Sequence, residues 1–72
     1  MNRSSGNKLA QIVKKLREEK GLSQEKLARL ADVSNNTIVN IEAGKQNNPT
    51  IETLKSIAKV LEINVGKLID SS

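Results

Sequence analysis

A chain of 72 residues is one small domain, with room for a single core and little besides. It contains no Cys, His, Phe, Tyr or Trp. Disulfides, thiolate metal sites and the usual general base are therefore excluded, and the core must be built from Leu, Ile, Val and Ala. The formal charge is +4 and the pI about 9.7, a balance that suits a polyanionic partner as well as plain solubility.

The excess charge sits early. Residues 1–20 carry six basic side chains (Arg3, Lys8, Lys14, Lys15, Arg17, Lys20) against Glu18 and Glu19, whereas residues 21–44 are slightly acidic. No apolar run approaches the ~20 residues of a membrane span. The opening MNRSSGNK lacks the apolar stretch of a signal peptide, so a cytoplasmic protein is expected.

Residues 1–6 are polar and unpatterned and read as a flexible N-terminal arm, leaving 7–70 as the folded domain. Leu9, Ile12, Val13 and Leu16 then recur at helical spacing, with charged residues between them, and Gly21 is placed to end that helix in a left-handed conformation. Ser23 is an N-cap for a second helix carrying Leu27, Ala28, Leu30 and Ala31. Only three residues after Ala31, Ser34 caps a third helix, with Ile38 and Ile41 inward and Gly44 at its close.

The segment KQNNP is a loop in which Pro49 pushes Asn48 toward extended geometry. Thr50 caps a fourth helix with the stripe Ile51, Leu54, Ile57, Ala58 and Leu61. Asn64 caps a last short one with Val65, Leu68 and Ile69. No alternating strand pattern competes, so the fold class is all-α with five helices.

Two short helices joined by a three- or four-residue turn can project the second from the body of a domain. The stretches LREEKGLSQEKLA (16–28), VSNNTI (33–38), IEAGK (41–45), PTIETL (49–54) and IAKVLEIN (57–64) stand at set spacing along the chain. On them the chain resembles, from about Leu9 to Ile69, the helix-turn-helix domain of lambdoid phage Cro and repressor proteins, the family also called xenobiotic-response-element type. The resemblance implies a compact five-helix, lambda-repressor-like DNA-binding domain, and a prokaryotic or phage transcriptional regulator, most often a repressor.

The resemblance also implies roles for individual residues. Arg17 would pair with Glu42, tying the first helix to the end of the third. Gln24 would bind a backbone phosphate at the start of the second helix, and Lys45, Gln46, Asn47 and Asn48 would do so from the following loop. The third helix would enter the major groove with its leading residues against base edges.

Asn35, Asn36, Val39 and Asn40 share the face opposite Ile38 and Ile41. Asparagine is a poor helix former, but its amide matches the N6 and N7 edge of adenine in a bidentate pair, and Val39 can meet a thymine methyl. With no Arg or Lys in the helix before Lys45, an A·T-rich operator is expected.

Two positions depart from the family pattern. Asp32 stands in the turn where Gly is usual, and Asp tolerates positive φ at modest cost. Glu62 stands where many members have Gly, which predicts a differently shaped corner before Ile63. Val60, Ile63, Val65 and Ile69 offer apolar surface either for a homodimer contact or for completing the core. Arg3 on the arm is a further candidate for DNA contact.

The rival readings are an enzyme and an interaction module. The S-x-x-K pattern of serine acyl-transfer enzymes occurs at Ser5–Lys8, Ser23–Lys26 and Ser56–Lys59, and so many hits in a short chain carry no meaning outside the proper fold. With no His or Cys, no catalysis, cofactor or metal is expected. A protein-interaction or antitoxin-like regulatory module on the same scaffold is the stronger rival.

Overall fold

The computed structural model describes residues 8–45 and 49–71. It contains α1 (Lys8–Glu19), α2 (Gln24–Ala31), α3 (Asn35–Glu42), α4 (Ile51–Leu61) and α5 (Val65–Ser71), with no strand among the described residues. Helix α2 packs on both α3 and α4, α1 packs on α3 and α5, and α4 packs on α5. The closed ring of five helices so formed encloses Leu9, Val13, Leu27, Ala28, Ala31, Ile38, Ile41, Leu54, Ile57, Ala58, Leu61 and Leu68. Each fully buried Leu, Ile or Val stabilises the fold by ~1.5–3 kcal/mol.

The expected caps are all in place. Ser23 Oγ accepts from the Lys26 amide at 2.9 Å, Ser34 Oγ from Thr37 at 3.1 Å and Thr50 Oγ1 from Thr53 at 3.1 Å. Asn64 Oδ1 accepts from the Gly66 amide at 2.8 Å. Each bond satisfies an amide that the first helical turn leaves without a backbone partner.

Four of the helices end alike, with one left-handed residue just past the helix: Gly21 (φ 71°), Asp32 (φ 60°), Gly44 (φ 76°) and Glu62 (φ 62°). After each, the next amide reaches back five residues, as in Leu22 N to Arg17 O and Val33 N to Ala28 O. Lys45 N to Asn40 O and Ile63 N to Ala58 O complete the set. This is the Schellman arrangement, which closes the last carbonyls and reverses the chain in few residues. Only Asp32, Val33 and Ser34 separate α2 from α3.

Three expectations need correction. Glu62 does not reshape its corner; it adopts the left-handed conformation itself, ψ 42°, and the corner matches that at Asp32. Its carboxylate lies 2.7 Å from Lys20 Nζ, which lowers the Glu62 pKa from its ordinary value through that hydrogen bond and the charge behind it. Leu30, among the apolar residues expected on α2, and Ile51, placed on the stripe of α4, are 51% and 48% exposed. Leu27, Ala28 and Ala31 already fill the buried side of α2, and Ile51 is the first residue of α4, at the edge of its stripe.

The left-handed corners yield a test. A left-handed backbone costs an ordinary L residue ~1–2 kcal/mol, less for Asp, while Gly gains freedom in the unfolded chain. Asp32→Gly is expected to stabilise the domain by about 0.5–1 kcal/mol. Glu62→Gly shifts the thermal midpoint in the same direction, measured in high salt where the exposed Lys20 pair is screened. A fall in midpoint for both variants would show that these corners are not strained.

Candidate nucleic-acid interface

Glu42, at the C-terminal end of α3, has a side chain only 3% exposed. Burying a carboxylate is costly unless it is paired and hydrogen-bonded. Arg17 supplies the pair in fork geometry: Nε donates to Oε2 at 2.7 Å and Nη2 to Oε1 at 3.1 Å. Arg17 Nη1 donates to the Leu22 carbonyl at 2.6 Å, and Gln24 Nε2 donates to Glu42 Oε1 at 3.1 Å. The hydrogen bond to Glu42 raises the Arg17 pKa further above its already high ordinary value. One carboxylate therefore ties together α1, the start of α2 and the end of α3.

With its C-terminal end fixed, α3 presents its opposite face outward. Ile38 and Ile41 are fully buried, Asn35 and Asn36 are exposed, and Val39 and Asn40 are half-buried. Ser34 does the capping, and its hydroxyl shares a 2.8 Å hydrogen bond with that of Thr37. Asn35 and Asn36, in the first turn, are thus released from the role asparagine most often takes at a helix start. Among the described residues no hydrogen bond engages the side-chain amides of Asn35, Asn36 or Asn40. The four side chains form one outward strip of amide and methyl groups.

Gln24 is half-buried, turned onto Glu42 at the foot of that strip. Lys45 is exposed beyond the end of α3, its amide bonded back to the Asn40 carbonyl at 2.9 Å. Gln46, Asn47 and Asn48 lie outside the described residues, as does Arg3. Val60, Ile63 and Val65 pack partly against the core, and Ile69 is 38% exposed.

Sequence reasoning missed that Gln24 braces Glu42. It also missed Lys14, which flanks an open notch together with Arg17, Gln24, Val39, Glu42 and Ala43. The signal for Lys14 was its position three residues before Arg17, which places both on one flank of α1. Among the described residues no group of three or more acidic residues is arranged to hold a metal ion. No described helix is long and apolar enough to cross a membrane.

Residues 13–68 match a family model described as helix-turn-helix. Over 62 residues the chain is 37% identical to the HTH-type transcriptional regulator SinR of Bacillus subtilis (strain 168), an alignment covering 86% of this chain and 56% of that protein. The chain spans about half the length of the curated relatives it matches. Its fold is similar to that of the N-terminal DNA-binding domain of SinR from Bacillus subtilis, with a TM-score of 0.82 and 37% identity. That match covers 86% of this chain and 90% of the other. The similarity extends to SinR solved in complex with DNA, at TM-score 0.81 and 37% identity, with 86% and 98% covered.

The clamp on Glu42 predicts a large stability effect. Removing one partner of a buried pair leaves the other charge without compensation, which costs ~3 kcal/mol or more. Glu42→Ala and Arg17→Ala are each expected to lower unfolding free energy by that amount in urea titrations, and the double variant to lose less than their sum. Additive losses would mean that the two side chains do not act as a unit.

Proposed function

The chain belongs to the helix-turn-helix family, and from that membership we propose that it is a sequence-specific double-stranded DNA-binding protein, a transcriptional regulator of the repressor type. Its third helix reads base edges in the major groove. The observation that supports this best is the outward strip of α3, where Asn35 and Asn36 stand exposed beside Val39 and Asn40, their amides unengaged among the described residues. Bidentate amide contacts to adenine and a valine against a thymine methyl select an A·T-rich operator.

Gln24, Lys45, Gln46, Asn47 and Asn48 hold the flanking phosphates, which position the helix without specifying sequence. The protein acts in the cytoplasm, needs no cofactor and performs no catalysis. Val60, Ile63, Val65 and Ile69 form the contact between two copies, which places two recognition helices about one DNA turn apart, ~34 Å.

A second reading, a protein-interaction or antitoxin-like module, is favoured by Leu30 and Ile51, large apolar side chains that are about half exposed and take no part in the contact between copies.

Selection from a random duplex library separates these readings. The regulator reading expects paired, inverted, A·T-rich half-sites. Asn36→Ala should then weaken the selected site by ~1–3 kcal/mol and leave nonspecific binding unchanged. Salt-sensitive binding with no sequence preference would favour the interaction module. For the dimer, Ile69→Asp should convert a two-copy species to a single copy in sedimentation while keeping the helical signal. A wild-type protein that sediments as one copy at high concentration and on its operator would remove the proposed contact.

A further inference from the structure

We propose that Lys14 is a further phosphate-holding residue, which joins Gln24 in seating one phosphate of the DNA backbone in the notch between α1, the start of α2 and the outer face of α3. This inference rests on the DNA reading above. The notch is open to solvent, has a volume of about 400 Å³ and is lined by Lys14, Arg17, Gln24, Val39, Glu42 and Ala43. Its floor is the clamp, in which both Glu42 oxygens are already occupied, Oε2 by Arg17 Nε and Oε1 by Arg17 Nη2 and Gln24 Nε2. Glu42 therefore balances Arg17 and leaves the charge of Lys14 uncompensated.

Lys14 is exposed and, among the described residues, pairs with no carboxylate. Glu18, 3.8 Å from Arg17 Nη2, is more than half exposed and does not line the notch. The notch thus carries one net positive charge with hydrogen-bond donors beside it. A glutamine amide has two N–H groups, and the bond to Glu42 uses one. The second is left to donate, from a side chain whose orientation the clamp has already set.

Position makes this a phosphate seat rather than a general basic surface. Val39 belongs to the base-facing strip of α3 and also forms the notch's edge, so a strand flanking that strip passes over Lys14. Lys15, the next residue, lines a different groove with Ile12, Leu16, Glu19 and Lys67. It provides a control of equal charge, also exposed, one position away.

The test uses the full chain, Lys14→Gln and Lys15→Gln, with the duplex recovered by selection and a scrambled duplex of the same composition. Affinities are measured between about 50 and 200 mM salt, the range in which counterion release is read. Lys14→Gln is expected to weaken both duplexes by a similar factor, roughly 3–10-fold, and to reduce the slope of log K against log salt by about 0.9. Lys15→Gln should leave the slope unchanged, and both variants should melt as the wild type does.

If Lys14→Gln and Lys15→Gln behave alike while the wild type still prefers the selected duplex, the phosphate seat is overturned and the DNA reading stands. If the wild type binds neither duplex, the DNA reading fails and the seat falls with it. Binding of both duplexes without preference would sink sequence-specific reading, and the difference in slope would still decide the seat.

Discussion

A carboxylate buried in so small a domain is a liability unless its surroundings are built for it, and here they hold the end of α3. Glu42 ends α3, Arg17 lies on α1, and Gln24 begins α2. Their hydrogen bonds at 2.7 and 3.1 Å leave little freedom in how the three helices meet. The Leu22 carbonyl completes the arrangement, because the left-handed turn at Gly21 brings it back to Arg17 Nη1. Hydrophobic burial under Ile38 and Ile41 supplies most of the adhesion of α3, but it is non-directional. The clamp adds direction, as charge-assisted forks do.

Local chain chemistry prepares the same outcome. Each helix from α2 to α5 begins on a side chain that closes its first turn, and each from α1 to α4 ends on a left-handed residue. These devices allow three-residue corners, and short corners hold short helices at fixed angles around a core that contains no aromatic ring. At the start of α3 they have a further consequence. Because Ser34 and Thr37 satisfy one another and the backbone, the adjacent asparagines remain available to an outside partner.

Much of this was legible in the sequence, for identifiable reasons. Caps at Ser23, Ser34, Thr50 and Asn64 depend on nearest-neighbour chemistry, and the stripes through Val13, Leu27, Ile57 and Leu68 depend on helical period; both are local. What was hidden depended on three dimensions. Leu30 and Ile51 are apolar and helically spaced, yet about half of each stays exposed, because the buried sides of α2 and α4 are filled by other residues. Glu62 was hard to place because its left-handed conformation is imposed by the corner against the residue's own preference. The strip Asn35, Asn36, Val39 and Asn40 followed from spacing on one helix, whereas the bracing of Glu42 by Gln24 and the notch beside Lys14 join separate elements.

The central claim is that the clamped third helix offers its asparagine amides to base edges. Its most direct test is to follow the ¹⁵N side-chain amide resonances of the chain while titrating the selected duplex and, separately, its scrambled counterpart. The account predicts that the amides of Asn35 and Asn36 shift only with the selected duplex, while α2 amides near Gln24 respond to both. Asparagine resonances that stay unmoved by the selected duplex, or move equally with either, would contradict it.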